Sequence, residues 1–333
     1  MFYNTTRALK EDRSSAMSEI QSSDSINTSD EELLYFWALG DLHYYTADQW
    51  RNYHAQRLSP MFRDLRALWS KEGAPAFCVS PGDIVESGTP GNYQLARQEL
   101  GAQLGKIAFY PGIGNHEMWP EHESGEDTLE QLIQDYVTFW GKPVHYYWVE
   151  GEVLCVMLDA AGYPEPRFSE ETLDFLKTAL AKHPAHIAVI FAHCPLYNTV
   201  LDRDPARNRD YHSLAPFFYI HNSDTVRAIL ATRRNGSLYI SGHTHSGWEA
   251  PNLVFTERPG AYPVTHINLM SPWFTGYEKE PGRNEGHTTF EFHLDEPDLV
   301  VSFALRVYRH QVVIRLRNHS ERRWMAHWVV PLQ

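Results

Sequence analysis

Buried-strand patterns and amphipathic helices alternate along this chain. "LLYFWAL" (33–39) is a continuous apolar run of strand length, which predicts a strand covered on both faces. After a polar stretch, Leu58, Met61, Phe62, Leu65, Leu68 and Trp69 recur at helical spacing and predict a helix over Ala47–Lys71. "AFCVS" and "IAFYP" are the next strand patterns, with a predicted helix from Tyr93 to Leu104 between them and another from Leu129 to Trp140 beyond them. "HYYWVEGEVLCVMLD" predicts two strands turning at Glu150-Gly151, followed by a helix over Glu170–Lys182. "HIAVIFA", a helix over Ser223–Arg233 and "SLYIS" continue the alternation. The last third reads as β, in "VTHINL", "TTFEFHL", "LVVSFALRVY", "VVIRLRN" and "AHWVVPL".

Strand–helix alternation followed by strands predicts an α/β (α+β) fold with helices flanking sheets. No internal repeat or linker interrupts residues 33–333, so they read as a single domain, with the polar strand-end motifs in 33–270 and a β-rich part in 271–333. The Ser/Thr/Asp/Glu-rich stretch through Glu32 reads as a disordered tail, with Met17 as an alternative start. Pro195–Asn222 and Trp273–His287 are longer than ordinary connections, as lids often are; surface decoration is the alternative. Near the end, arginines alternate with Val, Ile and Leu (Arg306, Arg315, Arg317), the pattern of a strand with a solvent face.

Composition narrows the function. The chain has 333 residues, is 43% hydrophobic and carries a formal charge of -13. That suffices for a large core and disfavours nonspecific contact with nucleic-acid polymers. No apolar run reaches membrane-spanning length and no secretory signal opens the chain, so the expectation is a cytoplasmic protein without a membrane span. Three widely spaced cysteines, Cys78, Cys155 and Cys194, give neither a disulfide framework nor a thiolate zinc site, and read as small core residues.

Five strand patterns run into polar residues of one chemical kind: Gly40-Asp41-Leu42-His43, Gly82-Asp83, Gly114-Asn115-His116-Glu117, His193, and Gly242-His243-Thr244-His245. In open α/β sheets the carboxyl ends of the strands form the ligand crevice. Each signal alone is an ordinary turn, but five together are not coincidence. Two Asp, one Asn and four His are oxygen and imidazole donors suited to divalent transition metals. Seven donors exceed what one tetrahedral ion needs; two ions sharing a carboxylate would use them all.

In order and spacing these motifs resemble the calcineurin-like metallophosphoesterases, whose signature is Asp-x-His, Gly-Asp, Gly-Asn-His-Asp/Glu, a lone His and Gly-His-x-His. The resemblance spans Gly40–His245. It implies a four-layer sandwich of two mixed β-sheets flanked by helices, with a dinuclear site at the strand ends. By position it implies Asp41, His43 and His245 on one metal, Asn115, His193 and His243 on the other, and Asp83 bridging them. His116 is implied as the catalytic residue beside the metals. Glu117 is expected either to orient His116 or to cap the loop. Hydrolysis of a phosphate ester by a metal-bridging hydroxide follows, with Mn, Fe or Zn as the two ions.

Within that family the position three residues after Asp83 is a metal-binding Tyr in purple acid phosphatases. Here it is Glu86, which implies a colourless site. Many protein phosphatases continue as Gly-Asp-x-x-Asp-Arg, from which this chain departs. The implied substrate is therefore a small phosphorylated molecule, a monoester or a diester, cyclic nucleotides included. A catalytically inactive scaffold with this fold is the alternative of another class. Tyr45 and His212 are further candidates for contacting substrate, and Asp159 for supporting the metals from the end of its strand.

Overall fold

The computed structural model describes residues 30–119, 128–160, 165–200, 203–204, 209–210, 216–246, 252–272 and 299–333. The predicted strand "TTFEFHL", most of the long loops, the tail before residue 30 and His212 lie outside them.

The first sheet holds β1 (Glu32–Ala38), β2 (Phe77–Ser80) and β3 (Ala108–Pro111). The second holds β4 (Tyr146–Glu150), β5 (Val153–Leu158), β6 (Ile187–Ala192) and, past a two-residue pair β7 and β8 (Arg203–Asp204, Arg209–Asp210), β9 (Ser237–Ser241), β10 (Val254–Glu257) and β11 (Val264–Asn268). The chain then returns to the first sheet with β12 (Val301–Tyr308), β13 (Gln311–Asn318) and β14 (Arg323–Pro331). The orders are β14-β13-β12-β1-β2-β3 and β10-β11-β9-β6-β5-β4. Both sheets are mixed. β1, β2 and β3 are mutually parallel and β12 joins β1 antiparallel, while β5, β6, β9 and β11 are parallel and β4 and β10 close the edges antiparallel.

Period-two side-chain alternation sends each strand's apolar residues to opposite faces. Phe36, Phe77 and Val79 pack inward against Cys155, Met157, Val189, Phe191 and Ile240, filling the space between the sheets. The opposite faces pack on helices: α1 (Asp48–Glu72), α2 (Pro90–Leu104) and α3 (Leu129–Trp140) on the first sheet, α4 (Glu170–Lys182) and α5 (Ser223–Leu230) on the second. The fold is a helix–sheet–sheet–helix sandwich, the architecture implied by the resemblance of the strand-end motifs.

Local chemistry sets the helix ends. Thr89 accepts from the Asn92 backbone N–H with Pro90 in the first turn, so α2 begins three residues earlier than apolar spacing predicts. Thr128 and Ser169 cap α3 and α4 in the same way. β10 is a strand the pattern did not predict, and α5 stops at Leu230, short of Arg233.

Asp30, Glu31 and Glu32, at the end of the stretch read as a tail, bond to His310, Arg309 and Arg306. The C-terminal arginines are not uniformly on a solvent face. Arg317 is buried against Asp64, and Arg306 and Arg315 lie over the rings of Tyr35 and Trp324 at 4.0 and 3.5 Å. Alternation reports which face a residue takes, but not that aromatic rings and a carboxylate cover that face.

Candidate metal centre

The loops after β1, β2 and β3 of one sheet and after β6 and β9 of the other meet at one end of the sandwich. Asp41, His43, Asp83 and Asn115 come from the first sheet, His193, His243 and His245 from the second; all are buried. Among the described residues three groups of donor atoms form at this end: His43, Glu86 and His116 make one at the rim, and the side chains above supply the other two. Asp41, His43, Asp83 and His245 make one, Asp83, His193 and His243 the other, with the atoms of each group within 4.8 Å of one another. Asp83 belongs to both. Asn115 joins the second, its Oδ1 3.1 Å from His193 Nε2, which lies 2.9 Å from Asp83 Oδ2.

Backbone strain concentrates here. His43, Asp83, His243 and His245 all have left-handed backbones, with φ of 47°, 50°, 69° and 46°. Among the described non-glycine residues only Asn198 and Arg322 share that conformation. Such residues persist where the surroundings over-determine them, commonly at ligand sites. Glycine is required beside the carboxylates. A Cβ on Gly114 would run into Asp83 Oδ1, and one on Gly242 into Asp41 Oδ2.

Neighbouring groups fix the side chains. Asp41 Oδ1 accepts the His243 backbone N–H at 2.9 Å. The Phe217 carbonyl stands 3.0 Å from His243 Nε2, and burial, with the nearby His193, pushes His243 down to about 3. Its ring is therefore neutral, with Nε2 as donor and Nδ1 as the electron-pair donor. Burial lifts the Asp41 carboxyl to about 6. At His43 burial acts downward, but the Glu86 carboxylate, 2.9 Å from Nδ1, outweighs it and lifts the imidazole to about 9.

His116 sits on a single 3-10 turn, His116–Met118, after β3. Its backbone N–H donates to Asp83 Oδ1 at 3.0 Å, and its Nδ1 lies 2.7 Å from the Glu86 carbonyl. The ring packs edge-on against His43 at 4.5 Å and against the partly exposed Trp119 at 4.4 Å.

The Glu117 carboxylate faces backbone N–H groups of the loops and not the His116 ring. Buried, it accepts the backbone N–H groups of Asp83, Ile84, Val85 and Gly114 at 2.6–3.1 Å, stapling the loop after β2 to the loop after β3. Burial and the nearby Asp83 charge push the Glu117 carboxyl up to about 7, against the backbone N–H groups that pull it down. With four N–H donors into two oxygens there is no acceptor left for a carboxyl proton, so the ionised form fits this geometry. The loop-capping expectation describes it best.

Other sequence candidates are placed elsewhere. Asp159 takes His145 Nδ1 at 3.2 Å and the Thr172 hydroxyl at 2.8 Å, tying β5 to the start of α4. Tyr44 is buried beside Val85, while Tyr45 is half-buried at the surface. Cys194, despite following His193, is buried in the core between the second sheet and its helices. Glu86, absent from the sequence candidates, is the residue the structure adds.

The donor set fits two divalent transition metals. Carboxylates, an amide and imidazoles converge without a thiolate. Among the described residues, buried Asp41 Oδ2 and His193 Nδ1 have no hydrogen-bond partner, a condition that a bound ion or water relieves.

The family model for calcineurin-like phosphoesterases matches residues 34–247, from β1 through the loop carrying His243 and His245. The chain belongs to this family. Serine/threonine-protein phosphatase CPPED1 of Mus musculus is 24% identical to this calcineurin-like phosphoesterase over 231 residues, 64% of this chain. The chain spans 65% of that relative's length. Among solved structures, a dimetal phosphatase from Danio rerio superposes with a TM-score of 0.59 at 16% identity, covering 91% of this chain and 100% of that one. A purple acid phosphatase from yellow lupin (Lupinus luteus) seeds gives 0.54 at 13%, covering 90% of this chain and 53% of its own. At such identities the structures establish the shared fold. Among the described residues, no helix of this calcineurin-like phosphoesterase is long and apolar enough to cross a membrane.

Proposed function

We propose that this chain hydrolyses a phosphate ester of a small phosphorylated molecule. Asp41, His43, Asp83 and His245 hold one divalent transition metal, and Asp83, Asn115, His193 and His243 hold the second. The observation that carries this reading is Asp83, the one carboxylate common to both donor groups. Mn, Fe or Zn suits the donors equally, since imidazole and carboxylate accept all three.

What two bound divalent ions supply is Lewis acidity toward phosphoryl oxygens and a water acidic enough to act as nucleophile near neutral pH. The protein's own groups do the rest. Asp83 is held on both oxygens, Oδ2 by His193 Nε2 at 2.9 Å and Oδ1 by the His116 backbone N–H at 3.0 Å, which fixes the direction of its carboxylate. His116 donates from Nδ1 to the Glu86 carbonyl, which reserves Nε2 for the substrate. Only as the imidazolium does it carry a second proton, on Nε2, to donate to a phosphoryl or leaving-group oxygen. Glu117 keeps the two loops that carry Asp83 and His116 at a fixed separation. A small substrate, not a polynucleotide, suits a chain with net charge -13.

The match to CPPED1 favours a second reading, a phosphorylated serine or threonine of a protein. Initial rates of the Mn²⁺-loaded protein on p-nitrophenyl phosphate, bis-p-nitrophenyl phosphate and a phosphoserine peptide separate these, with Asp83→Asn as control. Turnover of either nitrophenyl ester above the peptide, abolished in the control, supports a small-molecule esterase, and the better of the two identifies monoester or diester. Preference for the peptide supports the second reading. No turnover of any ester by protein with two bound ions would leave the inactive scaffold.

A further inference from the structure

Glu86 lies three residues after Asp83, where neither a purple-acid tyrosine nor a phosphatase aspartate-arginine pair stands. Its side chain is 37% exposed, yet its polar atoms meet both working histidines. Carboxylate Oε2 is 2.9 Å from His43 Nδ1, and the backbone carbonyl is 2.7 Å from His116 Nδ1. The Glu86 backbone N–H donates to the Tyr44 carbonyl at 3.1 Å, and Val85 bridges Tyr44, so the main chain is tied to the loop that bears His43. The two imidazoles touch each other edge-on at 4.5 Å.

The Glu86 carbonyl is an acceptor, so His116 Nδ1 is the donor there, and the carboxylate 2.9 Å from His43 Nδ1 favours a proton on that nitrogen too. That assigns the tautomers: His43 and His116 both present Nε2 away from Glu86. His43 Nε2 indeed faces His245 Nε2 at 3.0 Å, inside the first donor group. A carboxylate on the far nitrogen of a ligating imidazole fixes its orientation and strengthens it as an electron-pair donor.

We propose that Glu86 is a positioning residue with two separable functions. Its side chain sets metal affinity through His43, and its main chain sets the orientation of His116. The inference rests on the dinuclear reading above. It goes further in assigning affinity at one of the two metals to a residue outside both donor groups that share Asp83.

The two functions divide under substitution because Glu86→Ala and Glu86→Gln keep the carbonyl. Metal-free protein is titrated with Mn²⁺ by calorimetry for wild type, Glu86→Ala, Glu86→Gln and Glu86→Asp. Turnover of p-nitrophenyl phosphate is then measured at saturating Mn²⁺. Loss of such an outer partner weakens metal binding by about 10–100-fold. That loss is expected at one site only, in the Ala and Gln variants, with partial recovery in Glu86→Asp. Wild-type affinity at both sites in Glu86→Ala would overturn the inference and leave the dinuclear reading standing. A fall in kcat at saturating metal with affinity unchanged would also overturn it, because Glu86 would then act on the substrate. Wild-type protein that binds no Mn²⁺ would overturn both. Glu86→Gln, of nearly the same shape and half-exposed, guards against a folding artefact.

Discussion

The Nε2 atoms of His43 and His245 stand 3.0 Å apart, one on the loop after β1 and the other on the loop after β9. These loops belong to different sheets, so the pair forms only when the inter-sheet core is assembled. Two imidazole nitrogens this close share at most one proton, and both backbones are left-handed to achieve the approach. The site is thus a product of the sandwich as a whole. Its donors come from five strand ends, and the packing of Phe36 against Phe191 across the sheets at 5.8 Å is part of what aligns them.

His116 separates catalysis from metal binding. Its ring lies outside both donor groups that share Asp83, though it forms a third with His43 and Glu86, and its Nδ1 is held by the Glu86 carbonyl. His116→Ala is expected to lower kcat by about 10²–10⁴-fold, the usual contribution of a general acid. Mn²⁺ stoichiometry, measured by elemental analysis after gel filtration, is expected to match wild type. Loss of bound metal would show His116 to be a ligand instead.

Glu117→Gln tests the staple between the loops. An amide nitrogen in place of one oxygen faces backbone N–H donors, leaving buried groups unsatisfied at about 1–3 kcal/mol each. Urea unfolding of the metal-free variant is expected to give a loss of roughly 2–4 kcal/mol. A loss below the error of the measurement would remove the staple from the account.

Away from the site, Asp64 joins α1 to β13 through a buried network. It accepts from Arg317 Nε and Nη2 at 2.8 and 2.9 Å and pairs with His319 Nδ1 at 2.9 Å. His319 Nε2 in turn meets the Ser302 hydroxyl at 2.7 Å, and that hydroxyl accepts from Trp37 Nε1 at 2.6 Å. Burial acts to raise the Asp64 carboxyl, but the bonds from His319 and Arg317 outweigh it and bring it from the usual 3.8 down to about 2. A carboxyl depressed on folding stabilises above its unfolded pKa. The benefit, about 2 kcal/mol, is lost as pH falls through the folded value. The stability advantage of wild type over Asp64→Asn is therefore expected to be constant above about pH 5 and to shrink between pH 4 and 2. An advantage independent of pH over that window would contradict it.

Much of this was legible in the sequence because it is local. Apolar spacing located α1, α3 and α4 within a residue or so, and the Gly-rich strand ends brought the metal-type donors into one list. What was not legible depends on partners distant in the chain. Glu117 answers to backbone N–H groups more than thirty residues away, and Arg317 to a carboxylate on α1, so neither could be assigned from its neighbours. β10 is a four-residue strand whose pairing with β11 supplies the order its own sequence lacks. Glu86 was read for the side chain it replaces. Its proximity to two histidines becomes visible only when the loops after β1, β2 and β3 are brought together.

Asp83 is the residue on which the dinuclear reading turns. Elemental analysis of wild type and Asp83→Asn, each reconstituted with excess Mn²⁺ and freed of unbound ion, counts the metals with and without the shared carboxylate. The expected result is two Mn²⁺ per wild-type chain, a clear loss in Asp83→Asn, and loss of ester hydrolysis with it. One ion per wild-type chain, or two in both proteins with equal turnover, would contradict a site built around Asp83.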